Sequence, residues 1–224
     1  EVVGTVFDLS ARSEDTLLKV DEGLVKLKRL ADGSQVDVPA QRSAVASLET
    51  DALLAVAATP EPLTQWAFDF TSNEPPRDWR GIAKNGVMHA SPYVAKKMAD
   101  GRIITHFGIS VRTAMLEQPL RLLATNSSVI RYRLRQEKPG DLQFMLLTHQ
   151  PEGAFGGNFE CRIQAEELQP AADGWCEVAL PISSFHPLHP RQPNVEGHVL
   201  TSVMVFTPRA DAGLEVSCFE LSKH

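Results

Sequence analysis

Ser128-Val129-Ile130-Arg131-Tyr132-Arg133-Leu134-Arg135 alternates without a break. Ile130, Tyr132 and Leu134 point one way and three arginines the other, the period-2 pattern of a strand with one buried face. The same pattern recurs on both sides of it. Ile103–Val111 puts Ile103, Thr105, Phe107, Ile109 and Val111 on one face. Asp141–His149 is a largely apolar strand carrying Phe144 and Leu146, and Phe159–Gln164 alternates with Glu160 and Arg162 outside. Gly174–Pro181 alternates after an Ala-Asp-Gly turn, and Val199–Thr207 and Leu214–Leu221 complete the set. Many short strands at even spacing, with Gly and Pro between them, predict a sandwich or barrel rather than a parallel α/β fold.

The N-terminal part is a meander of shorter strands. Leu18 and Val20 alternate with Lys19 and Asp21, Gly23 and Gly33 supply turns, and Val36 and Val38 flank Asp37. Leu48–Ala58, rich in Ala, Leu and Glu, has the composition of a short helix, and Thr59-Pro60-Glu61-Pro62 stops it. The domains expected are therefore residues 1–58 and 59–224. Gly81–Ala99 has room for a helical turn and nothing longer.

With 224 residues the chain can bury a sizeable core; its 43% hydrophobic and 22% charged content is ordinary for a globular protein. A net charge of −6 argues against a nucleic-acid surface, which needs clustered cations. No apolar run approaches the ~20 residues of a membrane-spanning helix. The chain starts with Glu and carries no signal peptide, so it reads as a piece of something longer.

Cys161, Cys176 and Cys218 each fall in the apolar phase of a predicted strand. Three buried, inert thiols are expected, and a Cys161–Cys176 bridge between neighbouring strands is the alternative. The absence of a C-x-x-C pair speaks against a zinc or dithiol centre.

Several constellations could carry chemistry. His186-Pro187-Leu188-His189-Pro190 contains an H-x-x-H pair, but two prolines keep it off a helix, so it reads as a surface loop. Glu152–Asn158 is glycine-rich yet lacks the Gly-Lys-Ser/Thr ending of a phosphate loop, so a loop between strands is expected. Phe155 at its tip could touch a ligand or tuck into its own core. Asp69 and Asp78 near Trp79 read as turn chemistry. There is no G-x-S-x-G or H-E-x-x-H motif, and no residue set supports an enzyme.

If the strands at 128–135, 141–149, 159–164 and 174–180 share one sheet, then Arg131, Arg133, Gln143, Glu160, Arg162, Trp175 and Glu177 line one of its faces. Planar polar groups beside an indole suit sugar rings and hydroxyls. The alternatives are a solvated face of cross-strand Arg–Glu pairs and a Trp175 held in the core.

Two resemblances add to this. Val3-Gly4-Thr5-Val6-Phe7-Asp8, Val20-Asp21-Glu22-Gly23-Leu24-Val25 and the closing Pro39-Ala40-Gln41 resemble the later part of the extracytoplasmic FecR domain of bacterial anti-sigma regulators. Ala40-Gln41 stands where that family usually has Gly-Gln. Residues Gly174-Trp175-Cys176-Glu177-Val178 leading into Leu180-Pro181-Ile182-Ser183-Ser184-Phe185 resemble the "W-x-x-V-x-I-P-L-S-x-F" run of galactose-binding-like, carbohydrate-binding-module jelly rolls. Phe68-Asp69-Phe70 and the final strand fit the same order.

These resemblances imply an all-β chain: a short β-meander, as a partial FecR domain, followed by a β-sandwich jelly roll. They further imply a periplasmic, membrane-anchored regulator whose missing front part crosses the membrane and holds a sigma factor. The jelly roll would bind glycan or polysaccharide, with no cofactor. Cys218-Phe219 replaces the acidic pair of the family's closing strand, which removes support for a structural calcium ion. The other implied roles are an accessory module of an extracellular enzyme and a protein-docking jelly roll without a small ligand.

Overall fold

The computed structural model describes the chain except residues 1–3, 12–14, 49–52, 59–60, 77–78, 114–119, 152–153, 191, 193 and 224. It is all-β and divides into two compact units, 1–61 and 62–224.

In the first unit, β1 (Val6–Ala11), β2 (Asp15–Glu22), β5 (Arg42–Ser47) and β6 (Val56–Ala58) form one antiparallel sheet in the order β1-β2-β5-β6. Strands β3 (Leu24–Lys28) and β4 (Gln35–Pro39) make a hairpin. Leu18, Val20, Val38 and Ala44 are its buried core. Gly23 has φ +85°, and a Cβ there would stand 2.6 Å from Thr5 Oγ1, so both backbone and space demand glycine. Gln41 takes a left-handed φ of 59° and ties itself down by donating from its side-chain amide to Asp21 O.

The helix expected over Leu48–Ala58 does not form at its described residues. Val56–Ala58 instead extends the sheet, pairing with Arg42–Ala44. Edge pairing satisfies backbone groups that a short Ala-rich helix, marginal by itself, would have to satisfy alone.

The second unit is a β-sandwich jelly roll. Its strands in chain order are β7 (Trp66–Asp69), β8 (Ile82–Lys84), β9 (Val87–His89), β10 (Ser91–Lys97), β11 (Ile103–Arg112), β12 (Leu122–Leu123), β13 (Ser128–Arg135) and β14 (Leu142–His149). They continue with β15 (Phe155–Ile163), β16 (Cys176–Pro181), β17 (His186–Pro187), β18 (Val199–Thr207) and β19 (Glu215–Lys223). One sheet runs β10-β11-β18-β14-β15-β17, with β12 beside β18; the other runs β16-β13-β19-β9-β8, with β7 beside β19. Tyr132 and Phe144 meet between the sheets at 5.3 Å, amid Leu134, Leu146, Phe159 and Phe219. Trp66, Phe68, Phe70 and Trp79 pack at one side of this core, where Trp79 Nε1 donates to Arg112 O at 2.8 Å.

Three sequence expectations fail here for identifiable reasons. Gly81–Ala99 holds strands rather than a helical turn, because Asn85-Gly86 (φ 53° and 73°) closes a two-residue hairpin between β8 and β9. Gly156 and Gly157 lie buried within β15 instead of in a loop. A Cβ on Gly156 would come within 2.7 Å of Thr148 Oγ1 and 2.8 Å of His198 Nδ1. Cys218 faces outward, beside Arg133, because a bulge between Arg133 and Leu134 leaves Ser217 unmatched and reverses the alternation of β19. Asp78 lies outside the described residues. Among those described, no helix is long and apolar enough to cross a membrane.

Candidate functional site

The residues expected on one sheet face sit on two. Strands β13 and β16 belong to one sheet, β14 and β15 to the other. Arg131, Arg133, Trp175 and Glu177 are therefore separated from Gln143, Glu160 and Arg162 by the thickness of the sandwich. Adjacency along the chain misleads here, since the chain changes sheet from β13 to β14 and again from β15 to β16.

On the β13–β16 side the arginines are occupied. Arg131 Nε donates to Ser222 Oγ at 3.1 Å. Arg133 donates to Asp173 Oδ2 at 2.7 Å and pairs with Glu177 at 3.3 Å. Its guanidinium carbon lies 4.9 Å from the centre of the Trp175 ring, and that of Arg135 lies 4.8 Å away. Arg135 is held in turn by the buried Glu215, whose other oxygen is 3.2 Å from His89 Nδ1. Trp175 is thus a half-buried plate under two guanidinium groups. This face resembles the alternative of cross-strand pairs more than a vacant stacking platform.

On the other sheet, register sets Gln143 opposite Arg162 and Met145 opposite Glu160. Gln143 Nε2 donates to Glu160 Oε2 at 2.7 Å, and Arg162 reaches the same oxygen at 3.2 Å. These three predicted residues form one connected cluster.

The two sets come nearest at the open edge of the sandwich, between β15 with β17 on one side and β16 on the other. A cleft of about 840 Å³ opens there, with Glu160, Arg162 and Glu177 in its lining. Arg131, Arg133, Gln143 and Trp175 stay outside the lining. Core-side residues complete it, among them Ile163, Leu168, Val178 and Leu180, together with polar Glu167, Gln169, Ser183, Ser184 and His186. Of these last five, His186 was read from sequence as part of an H-x-x-H loop and Ser183-Ser184 as part of the resemblance run, while Glu167 and Gln169 were not singled out. For Glu167 a signal existed: Gln164-x-x-Glu167 is a capping box that opens a 3-10 turn, and Glu167 accepts the Gln164 N–H at 2.7 Å. Nothing in the sequence marks which strand edges face one another.

Cys161 and Cys176 both contribute to this cleft and both are free thiols. They hang from opposite sheets, which stack about 10 Å apart. A disulfide needs Cα atoms within about 4.4–6.8 Å. The alternative bridge is therefore not formed. Burial pushes both thiols up in pKa, and the negative charge of Glu167 (on Cys161) and Glu177 (on Cys176) adds to it. Neither thiol is poised as a nucleophile.

Of the H-x-x-H pair, His186 stands on β17 and lines the cleft, so the expected loop begins as a short strand paired with β15; the nearby His198 is buried and bonded to Thr148 and Gln150. Among the described residues no three His, Cys, Asp or Glu gather as a metal site. Asp69 accepts from the Thr71 hydroxyl and amide and from Ser72, which hold its carboxyl below the ordinary range; this is the expected turn chemistry. Phe155 is exposed, edge-on to His149 at 6.1 Å, rather than tucked into the core.

No protein-family model matches the chain, and no curated protein matches it. Solved structures do. A family 11 carbohydrate-binding module from Clostridium thermocellum, in complex with a β-1,3-1,4-mixed-linked tetrasaccharide, is similar at 14% identity and a TM-score of 0.42, over 73% of this chain and 98% of that one. The CBM22-1 xylan-binding domain from Paenibacillus barcinonensis Xyn10C is similar at 15% identity and a TM-score of 0.31, over 70% of this chain and 92% of that one. These are likenesses of fold. The class the coordinates define is a β-sandwich jelly roll preceded by a small β unit.

Proposed function

We propose that the jelly roll binds a glycan in the cleft between β15 and β16, as the sensing part of a FecR-type extracytoplasmic regulator. The observation that carries the binding site is the lining itself. Apolar Ile163, Leu168, Val178 and Leu180 lie among planar donors and acceptors from Glu160, Arg162, Gln169 and Glu177. Sugar rings present both CH faces and dense hydroxyls, and such a mixture meets both. The size is in the range of small-ligand clefts, about 300–1,000 Å³. The regulator role rests on the N-terminal motifs. Membrane anchoring, periplasmic location and a sigma-factor partner follow from the same resemblance.

The test is a glycan array followed by calorimetry with the purified chain. Arg162→Ala should weaken binding more than about tenfold, the usual weight of a charged hydrogen bond. Arg131→Ala, on the far sheet face, should leave it unchanged. An array without any specific signal would instead favour the docking module. Binding lost with Arg131→Ala but kept with Arg162→Ala would move the site to the β13–β16 face.

A further inference from the structure

We infer that this cleft selects glycans bearing free amino groups and turns away polyanionic chains; the inference rests on the glycan-binding reading and names the ligand chemistry. Carboxylates stand on both sides of the opening, Glu160 from β15 and Glu177 from β16, with Glu167 in the turn that follows β15. Among the described residues, one arginine, Arg162, and one histidine, His186, share the lining with these three glutamates.

The pairing leaves the carboxylates in excess. Arg162 answers Glu160. Arg133, outside the lining, is shared between Asp173 and Glu177, one cation for two anions. Glu177 itself is 75% exposed. Glu167 gives one oxygen to the Gln164 N–H, and none of the ion pairs among the described residues includes it. An ionised carboxylate has about four acceptor sites, so Glu167 and Glu177 keep most of theirs for a ligand. Both thiols of the cleft feel the same negative field, Cys161 from Glu167 and Glu160, Cys176 from Glu177.

An ammonium group on a sugar ring would meet this field with attraction and charge-assisted hydrogen bonds. A uronate or sulfate would meet it with repulsion. Screening sets the range: the Debye length is about 10 Å at 0.1 M salt, so the selectivity should fade as salt rises.

The experiment uses the 224-residue chain and four probes of equal length: chitosan oligosaccharide at a pH where its amines are charged, its fully N-acetylated counterpart, oligogalacturonate, and a neutral β-glucan. Chitosan should bind about tenfold tighter than its N-acetylated form, with oligogalacturonate weakest. Glu167→Gln with Glu177→Gln should bring the first two to within about twofold. Glu167→Gln retains an acceptor for the Gln164 N–H, so the turn is preserved. Equal binding of amine and N-acetyl forms, preference for the uronate, or binding of the β-glucan alone would overturn the amine selectivity and leave glycan binding standing. Silence from all four would overturn it together with the glycan reading.

Discussion

At the scale of single residues, the small unit's hairpin turn shows how one carboxylate organises a loop. Asp32 accepts two hydrogen bonds from Arg29, at 3.1 and 2.6 Å, and two more from the Ser34 amide and hydroxyl. Arg29 is buried, and this pairing sets a carboxylate directly against its charge. These bonds, Arg29's first, hold the Asp32 carboxyl well below the ordinary carboxylate range. The folded pKa lies below the unfolded value of about 3.9, so the contribution to stability is complete above that pH. It is lost as pH falls from there through the depressed folded value. NMR titration should find Asp32 still ionised at pH values where ordinary aspartates have protonated. In acid-unfolding curves, the stability gap between the wild type and Asp32→Asn should close over that same window. An Asp32 that titrates near 3.9 would contradict this. The turn was readable from Gly33, but the pairing of Asp32 with Arg29 was not.

At the scale of elements, strand existence was legible and sheet membership was not. Alternation in Ser128–Arg135 reproduces strand β13 with the expected residues inward, because period-2 burial is a local property of the chain. The bulge at Ser217 is a feature of the β13–β19 register that no residue type announces, and it turned Cys218 outward. Asn85-Gly86, by contrast, carried a strong hairpin signal that composition around it obscured. Close packing between elements yields a sharper test. A Cβ on Gly108 of β11 would lie 2.1 Å from a ring carbon of Phe206 and 2.9 Å from Val205 O on β18. The φ of Gly108 is ordinary, so the effect of Gly108→Ala is steric alone. It should destabilise by about 1–3 kcal/mol in urea unfolding with an unchanged m-value. Adding Phe206→Leu should recover part of that loss. The carbonyl contact should keep the rescue incomplete.

At the scale of the whole molecule, two cores of very different size stand in one chain. The first unit encloses Leu18, Val20, Val38 and Ala44 as its fully buried residues, and Phe7 and Leu9 of its edge strand remain about half exposed. The second encloses a continuous aromatic and aliphatic core between two sheets. Small domains bury a smaller fraction of their surface and are correspondingly marginal. Calorimetry should therefore resolve two transitions, the lower one assigned to residues 1–61 and moved by Leu18→Ala. A glycan held by the jelly roll should raise the upper transition alone, since ligand stabilises the state that binds it. A single cooperative transition would contradict the division.

The sequence by itself determined the all-β class, the alternating strands, most turns and the chemical character of Glu160, Arg162 and Glu177, because these follow from periodicity and from side-chain chemistry. Only the tertiary structure decided that β13 and β16 lie across the sandwich from β14 and β15. That arrangement split the predicted face in two, left the Trp175 ring under Arg133 and Arg135, and opened a cleft where two strand edges remain unjoined. Strand pairing is a long-range choice made by the packing of whole faces, and no short stretch of chain contains it.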